Sequence, residues 1–239
     1  MSPDQRIILA LDVPGFDDAV EIVDRFHEHV EIFKVGSELF TAAGPDIIEK
    51  VHAYGNKVFL DLKFHDIPTT VHRSAMAAAR LGVFMLNVHT LGGSVMMQQA
   101  AEAVRKVSLE RNVDRPKVIG VTILTSMDQD TMQDELGISL RLSAQVKHLA
   151  SMAQRSGLDG VVASAEEAEE IRSRFSRDFL IVTPGIRPAW AAADDQKRTL
   201  TPREAIKKGS DYLVIGRAIL SQPDPVGAMK RIEDEIAGF

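Results

Sequence analysis

A closed (β/α)8 barrel, built as one domain over residues 1–239, is the fold this chain predicts. Three observations carry the expectation. Short, continuous apolar runs alternate about eight times with segments of helical spacing, the pattern of a parallel sheet covered by helices. The 239 residues match the ~250 typical of such a barrel. The polar residues that interrupt the apolar runs fall at or near their carboxyl ends, where a barrel gathers its functional groups. A doubly wound open sheet is the alternative, but no G-x-G-x-x-G follows the first run to support dinucleotide binding.

The elements follow in order. Residues 7–13 (I-I-L-A-L-D-V) read as a strand stopped by Pro14-Gly15, and 17–29 as a helix through Ala19, Ile22, Val23 and Phe26. Residues 31–37 form the second strand with Lys34 in its middle. Gly44-Pro45 then opens a helix to Tyr54 that Gly55 closes. Residues 57–64 (K-V-F-L-D-L-K-F) are the third strand, and Pro68 turns the chain into a helix through Leu81. Strands at 83–90, 117–124, 158–164, 179–183 and 212–215 alternate with helices at 94–106, around 139–155, 166–175, 202–208 and 224–236. The most apolar window, 75–91, is broken by Arg80, Gly82 and Asn87 and is no membrane span.

Composition narrows the function. The net charge is −6 and no Lys/Arg-rich run occurs, so a nucleic-acid surface is not expected. There is no cysteine, hence no disulfide, thiolate nucleophile or Cys-based metal site. The start, M-S-P-D-Q-R, has no secretory pattern, and a cytoplasmic protein is expected.

Candidate chemistry gathers at the strand ends. Asp61 and Lys63 are two apart on the third strand and should leave the same face. Asp66 follows in the turn, so three charges of alternating sign crowd one mouth, an arrangement that packing alone does not reward. Asp12, Thr125, Arg187 and Arg217 end other strands, and Lys34 can reach upward on its long stem. T-P-G-I-R-P after the seventh strand and I-G-R after the eighth set Gly216, Arg187 and Arg217 in the loops that bind phosphate in many barrels. Plainer roles stand beside these. Asp12 could cap a helix, Lys34 could snorkel outward, and Asp61 with Lys63 could be a structural ion pair. Asp66 could be a helix N-cap. His89 is read as a core histidine and Met96-Met97 as packing. The histidines lack metal-ligand spacing.

The chain resembles the orotidine 5′-phosphate decarboxylases of bacterial type nearly end to end. The motifs are A-L-D-V, F-K-V-G, D-L-K-F-H-D-I-P-x-T, N-V-H, V-T-x-L-T-S, D-G-V-V-x-S, T-P-G-I-R-P, D-Q-K-R and V-I-G-R. D-x-K-x-x-D alone marks a wider group that includes Mg²⁺-dependent sugar-phosphate decarboxylases and aldolases. Those relatives carry an acid in the second strand, where this chain has Lys34.

The resemblance implies conversion of orotidine 5′-monophosphate to UMP without metal or other cofactor, in pyrimidine biosynthesis. It implies Lys63 as proton donor to C6, Asp61 beside the departing carboxylate, and an array Lys34–Asp61–Lys63–Asp66. Asp12 and Lys34 would hold the ribose and Thr125 would face the pyrimidine. Arg187, Gln196, Gly216 and Arg217 would hold the phosphate. Asp66 and Thr70 would come from a partner subunit, which implies a homodimer with a shared site. The polar segment 189–198 is expected to be a lid closing on the phosphate. A non-catalytic nucleotide-binding barrel is the rival from another class.

Overall fold

A computed structural model describes residues 2–191 and 200–238. Eight parallel strands close on one another in chain order. They are β1 (Ile7–Ala10), β2 (Ile32–Gly36), β3 (Lys57–Phe64), β4 (Met85–His89), β5 (Lys117–Val121), β6 (Gly160–Val162), β7 (Leu180–Thr183) and β8 (Tyr212–Ile215). Closure is completed by β1 pairing β8, with Ile8 opposite Val214. The (β/α)8 barrel expected from the sequence is the fold observed.

Strand alternation divides the core in two. Ile8, Ile32, Phe59, Met85, Ile119, Val182 and Tyr212 form a separate buried cluster, contributed by seven of the strands. They are the plug inside the barrel. The residues next to them, such as Leu9, Phe33, Leu60, Leu86, Val118, Ile181 and Leu213, face outward into the larger core beneath the helices. Each fully buried side chain of this size contributes about 1.5–3 kcal/mol. Two residues beyond the plug, the same inward face carries Ala10, Lys34, Asp61, Asn87, Val121, Pro184 and Val214. The polar positions of this layer therefore sit on top of an apolar floor.

The opposite end is tied by ion pairs. Asp159 takes a bidentate contact from Arg115 and accepts the N–H of Val118 at the start of β5. Asp211 pairs with Arg172 at 2.5 Å and accepts the Ile181 N–H at 2.7 Å. Burial raises the Asp211 carboxyl, an effect its hydrogen bond from Ile181 and the Arg172 charge only partly offset. Stability and chemistry thus occupy opposite ends of the strands.

The elements differ from the sequence reading mainly at boundaries. β1 stops at Ala10, so Asp12 lies just past it. A helix not foreseen, Ser37–Ala43, follows β2 directly. Gly44, at φ +63°, ends that helix instead of opening the next, and Pro45 is the N-cap of Asp46–Ala53. The sequence signal for a glycine stop and a proline start is thus split between two helices. Pro68 does open its helix, Pro68–Arg80, at the first position. Among the described residues no helix is long and apolar enough to cross a membrane.

Candidate active site

The carboxyl ends of the strands surround a cavity of about 370 Å³. Asp12, Lys34, Asp61, Lys63, Thr125, Arg187, Gly216 and Arg217 all line it. Eight residues singled out at or near six strand ends therefore meet at one mouth.

The charged centre is built from three strands. Lys34 rises from the middle of β2 and is 7% exposed. Its Nζ lies 2.7 Å from Asp12 Oδ1 and 3.6 Å from Asp61 Oδ2. Asp12 therefore pairs with Lys34 and is not a helix cap; the cap of the following helix, Phe16–Phe26, is Gly15. Gly36 makes room for this amine, because a Cβ there would lie 3.1 Å from Lys34 Nζ.

Lys63 Nζ donates to Asp61 Oδ1 at 2.8 Å, completing a Lys34–Asp61–Lys63 row. The Asp61 side chain is only 13% exposed. Burial pushes its carboxyl up, but the Lys34 and Lys63 charges and hydrogen bonds from Lys63 and Asn87 outweigh that and hold it below its usual value. Asp61 is thus an anion stabilised from both sides.

Lys63 does not reach the cavity by plain strand alternation. Leu60 pairs with Leu86 and Phe64 with Val88, so three residues of β3 face the single Asn87 of β4. This is a bulge of two extra residues. Within it Lys63 adopts φ +49°, a left-handed conformation costing roughly 1–2 kcal/mol for a residue with a side chain. The Lys63 side chain remains 41% exposed, open to the cavity.

Asn87, in sequence a break in an apolar window and the first residue of N-V-H, has a structural role that neither signal assigns. It is 1% exposed, accepts the Lys63 N–H at 2.7 Å and donates to Asp61 Oδ1 at 2.6 Å. A lone amide on the inward face of a buried strand, two residues after a plug residue, was the available signal.

Asp66 and Thr70 stand apart from this group. Both are exposed, and neither lines the cavity. Asp66 accepts the N–H of Ile67 at 2.6 Å, while Ile67 itself is the N-cap position of Pro68–Arg80. The expectation that Asp66 caps this helix is thereby corrected, and within one subunit Asp66 does not join the row. The turn after Phe64 carries it away from the mouth. His89 is half-buried at the end of β4 and stacks on His65, with ring centroids 5.2 Å apart. Burial, then the charges of His65 and Lys63, lower it to about 4.

The remaining rim carries two arginines and two glycines. Gly185 at φ +76° turns the chain after β7 so that Pro184, Ile186 and Arg187 face the cavity. Arg187 is held by its N–H bond to the Leu200 carbonyl at 2.9 Å. Gly216 follows β8 and packs against β1, where a Cβ would lie 3.2 Å from Ala10 Cβ. Arg217 extends from there on an exposed position lining the same cavity. Gln196 and most of the expected lid, residues 192–199, lie outside the described residues.

A carboxylate held between two ammonium groups, in a cavity that two arginines also line, is the charged mouth expected of a barrel enzyme. The comparisons narrow this class. The chain belongs to the Orotidine 5′-phosphate decarboxylase / HUMPS family, whose pattern it matches over residues 5–232. It is 52% identical over 231 residues to the orotidine 5′-phosphate decarboxylase of Trichlorobacter lovleyi, covering 97% of this chain and 95% of that one. The corresponding protein of Geotalea daltonii is 50% identical over the same span and shares of the two chains. The crystal structure of orotidine 5′-phosphate decarboxylase from Lactobacillus acidophilus superposes with a TM-score of 0.86 at 39% identity, covering 98% of this chain and all of that one. Membership at this identity and coverage makes the chain an enzyme, a carboxy-lyase.

Proposed function

We propose that the cavity binds orotidine 5′-monophosphate and releases UMP and CO₂, with Lys63 as the proton donor. Breaking the C6–carboxylate bond leaves an electron pair in an sp² orbital at C6, outside the ring π system. That charge needs fixed electrostatic stabilisation, and an ammonium at C6 supplies it without reorganisation. The Lys63 ammonium then transfers a proton to C6, and its neutral amine is reprotonated by solvent. Asp61 flanks the departing carboxylate and keeps Lys63 aimed. Lys34 holds Asp61 in its ionised form and, with Asp12, meets the ribose hydroxyls. Thr125 faces the pyrimidine, and Arg187, Gly216, Arg217 and Gln196 take the phosphate.

The observation that carries this reading is the Lys34–Asp61–Lys63 row inside the cavity, with contacts of 3.6 and 2.8 Å. Lys34 also puts a positive charge beside Asp61, the place where the metal-using relatives of the wider group present an acid. The direct test is the fall in orotidylate absorbance on adding pure, metal-stripped protein. Unchanged absorbance, or activity that EDTA abolishes, defeats the proposal.

The same reading makes the site a two-subunit one, with Asp66 and Thr70 donated to the cavity of a second copy. Their exposure outside their own cavity supports this. So does the apolar side chain between them in the chain: Ile67 is 67% exposed. The reading is therefore of a homodimer with a shared site.

A further inference from the structure

We infer that Asn87 is a positioning residue for the reaction, fixing the Lys63 backbone and the Asp61 carboxylate in one geometry. The inference rests on the decarboxylase reading and deepens it.

The bulge sets the problem. Asp61, Leu62 and Lys63 together face one β4 residue, so the ladder between the two strands is interrupted where the chemistry is placed. A backbone N–H freed by a bulge still needs an acceptor. The Asn87 side-chain carbonyl accepts the Lys63 N–H at 2.7 Å. Its amide group donates at 2.6 Å to Asp61 Oδ1, the oxygen that also receives Lys63 Nζ at 2.8 Å.

One planar side chain thus bridges the backbone of the ammonium-bearing residue and the carboxylate that orients it. The amide offers an acceptor and a donor on one rigid plane without a charge; an ionised carboxylate there would meet Asp61 with like charge. Without that acceptor the Lys63 N–H loses its hydrogen-bond partner inside the bulge. Asn87 is buried, and its register neighbour on β5, Ile119, is apolar. The charged groups facing it are Asp61 and Lys63, with Lys34 on the far side of Asp61. Asn87 itself does not line the cavity, so it acts through these neighbours.

The test compares Asn87→Ala and Asn87→Asp with the native protein for orotidylate turnover and UMP affinity, each normalised to folded protein. Misaiming the reacting group lowers kcat without removing phosphate contacts. Asn87→Ala is expected to lose about 10- to 100-fold in kcat while UMP affinity stays within about threefold.

Asn87→Asp keeps the acceptor for Lys63 N–H and places a second carboxylate against Asp61. Two such groups share a proton more readily as pH falls, and the protonated form again donates to Asp61. Its activity relative to native should therefore rise from pH 8 to pH 6.

Native kcat in Asn87→Ala, or kcat and UMP affinity falling together, overturns the inference. If Asn87→Ala does not fold, Asn87→Asp decides: a ratio that climbs toward acid supports the role, and a flat ratio refutes it. A native protein that binds UMP but leaves orotidylate unchanged overturns the decarboxylase reading and this role with it. Turnover by native protein with an indifferent Asn87→Ala overturns this role alone.

Discussion

Replacing Lys34 by methionine should destabilise the protein, and by an amount that depends on pH. Methionine keeps the length and much of the volume of the lysine stem but removes its charge. At 3.6 Å and an effective dielectric near 20, the attraction between Lys34 and Asp61 is about 4.6 kcal/mol. The Asp12 contact adds at most about 1 kcal/mol, because the Asp12 side chain is 55% exposed. Removing a buried ammonium also removes its desolvation cost, which offsets part of the loss. Breaking one partner of a buried pair costs about 3–5 kcal/mol when nothing else compensates the remaining charge. Asp61 keeps Lys63 and Asn87, so about 2–4 kcal/mol is expected at pH 7. With a urea dependence of about 2 kcal/mol/M, the unfolding midpoint falls by about 1–2 M.

The sign of the pH effect follows from Asp61. In the native protein its carboxyl is held below the usual value, so its stabilising contribution is present above about pH 4 and lost below. In Lys34→Met burial acts with less opposition, and Asp61 moves upward. The variant then gains stability relative to native as pH falls from 7 toward 4. Urea unfolding at several pH values reads the gap directly. A gap that is the same at pH 7 and pH 4, or absent at pH 7, refutes the electrostatic account of Lys34.

Other outcomes follow from the same geometry. His89 is lowered to about 4, so the unfolded chain takes up its proton first and stability declines from about pH 6.5 toward 4. His89→Gln should show a shallower decline in melting temperature across that range; an unchanged slope assigns the acid sensitivity elsewhere. Arg217→Ala should weaken UMP binding about 10- to 100-fold, the equivalent of one charged hydrogen bond, while uridine binds as before. Equal losses for both ligands would remove Arg217 from the phosphate site. Lys63→Ala should retain UMP binding and lose turnover, checked by titration and by orotidylate absorbance. Mixing Lys63→Ala with Asp66→Ala subunits should restore part of the activity, since one site of the hybrid then has both residues. No recovery in a mixture shown by mass spectrometry to contain hybrids would count against the shared site.

Much of the barrel and the mouth was legible because both follow from periodicity. An apolar run bounded by turn residues marks a strand whether or not its ends are known to within two residues. The barrel then brings every strand's carboxyl end to one place, which is why Asp12, Lys34, Thr125 and Arg217 meet although far apart in the chain. What escaped depended on local departures from periodicity. Alternation placed Lys63 on the inward face without its bulge or its left-handed backbone, because two extra residues in β3 are visible only against β4. Asn87 looked like an interruption since its partners lie 24 and 26 residues earlier. Asp66 was grouped with Asp61 and Lys63 by nearness in sequence, yet the turn after β3 takes it to the surface. A helix as short as Ser37–Ala43 leaves too few turns for an apolar stripe to stand out.

The irregularities of this structure converge on one spot. A lysine with positive φ, a two-residue bulge, a buried amide and a carboxylate between two ammonium groups all occur where β3 meets β4. Each costs stability or forgoes some that a regular strand would have. Seven other strand junctions could have carried them singly, and the regular ladder between β4 and β5 shows that the barrel does not require them. Their coincidence is explained if the same atoms must oppose a carbanion with a fixed ammonium, since Lys63 Nζ lies 2.8 Å from Asp61 Oδ1 while one amide bonds both residues. The strain is local, and the plug beneath it, from Ile8 to Tyr212, is buried and almost wholly apolar. That division lets a stable floor hold an otherwise unfavourable row of charges in readiness, which is the requirement of electrostatic preorganisation.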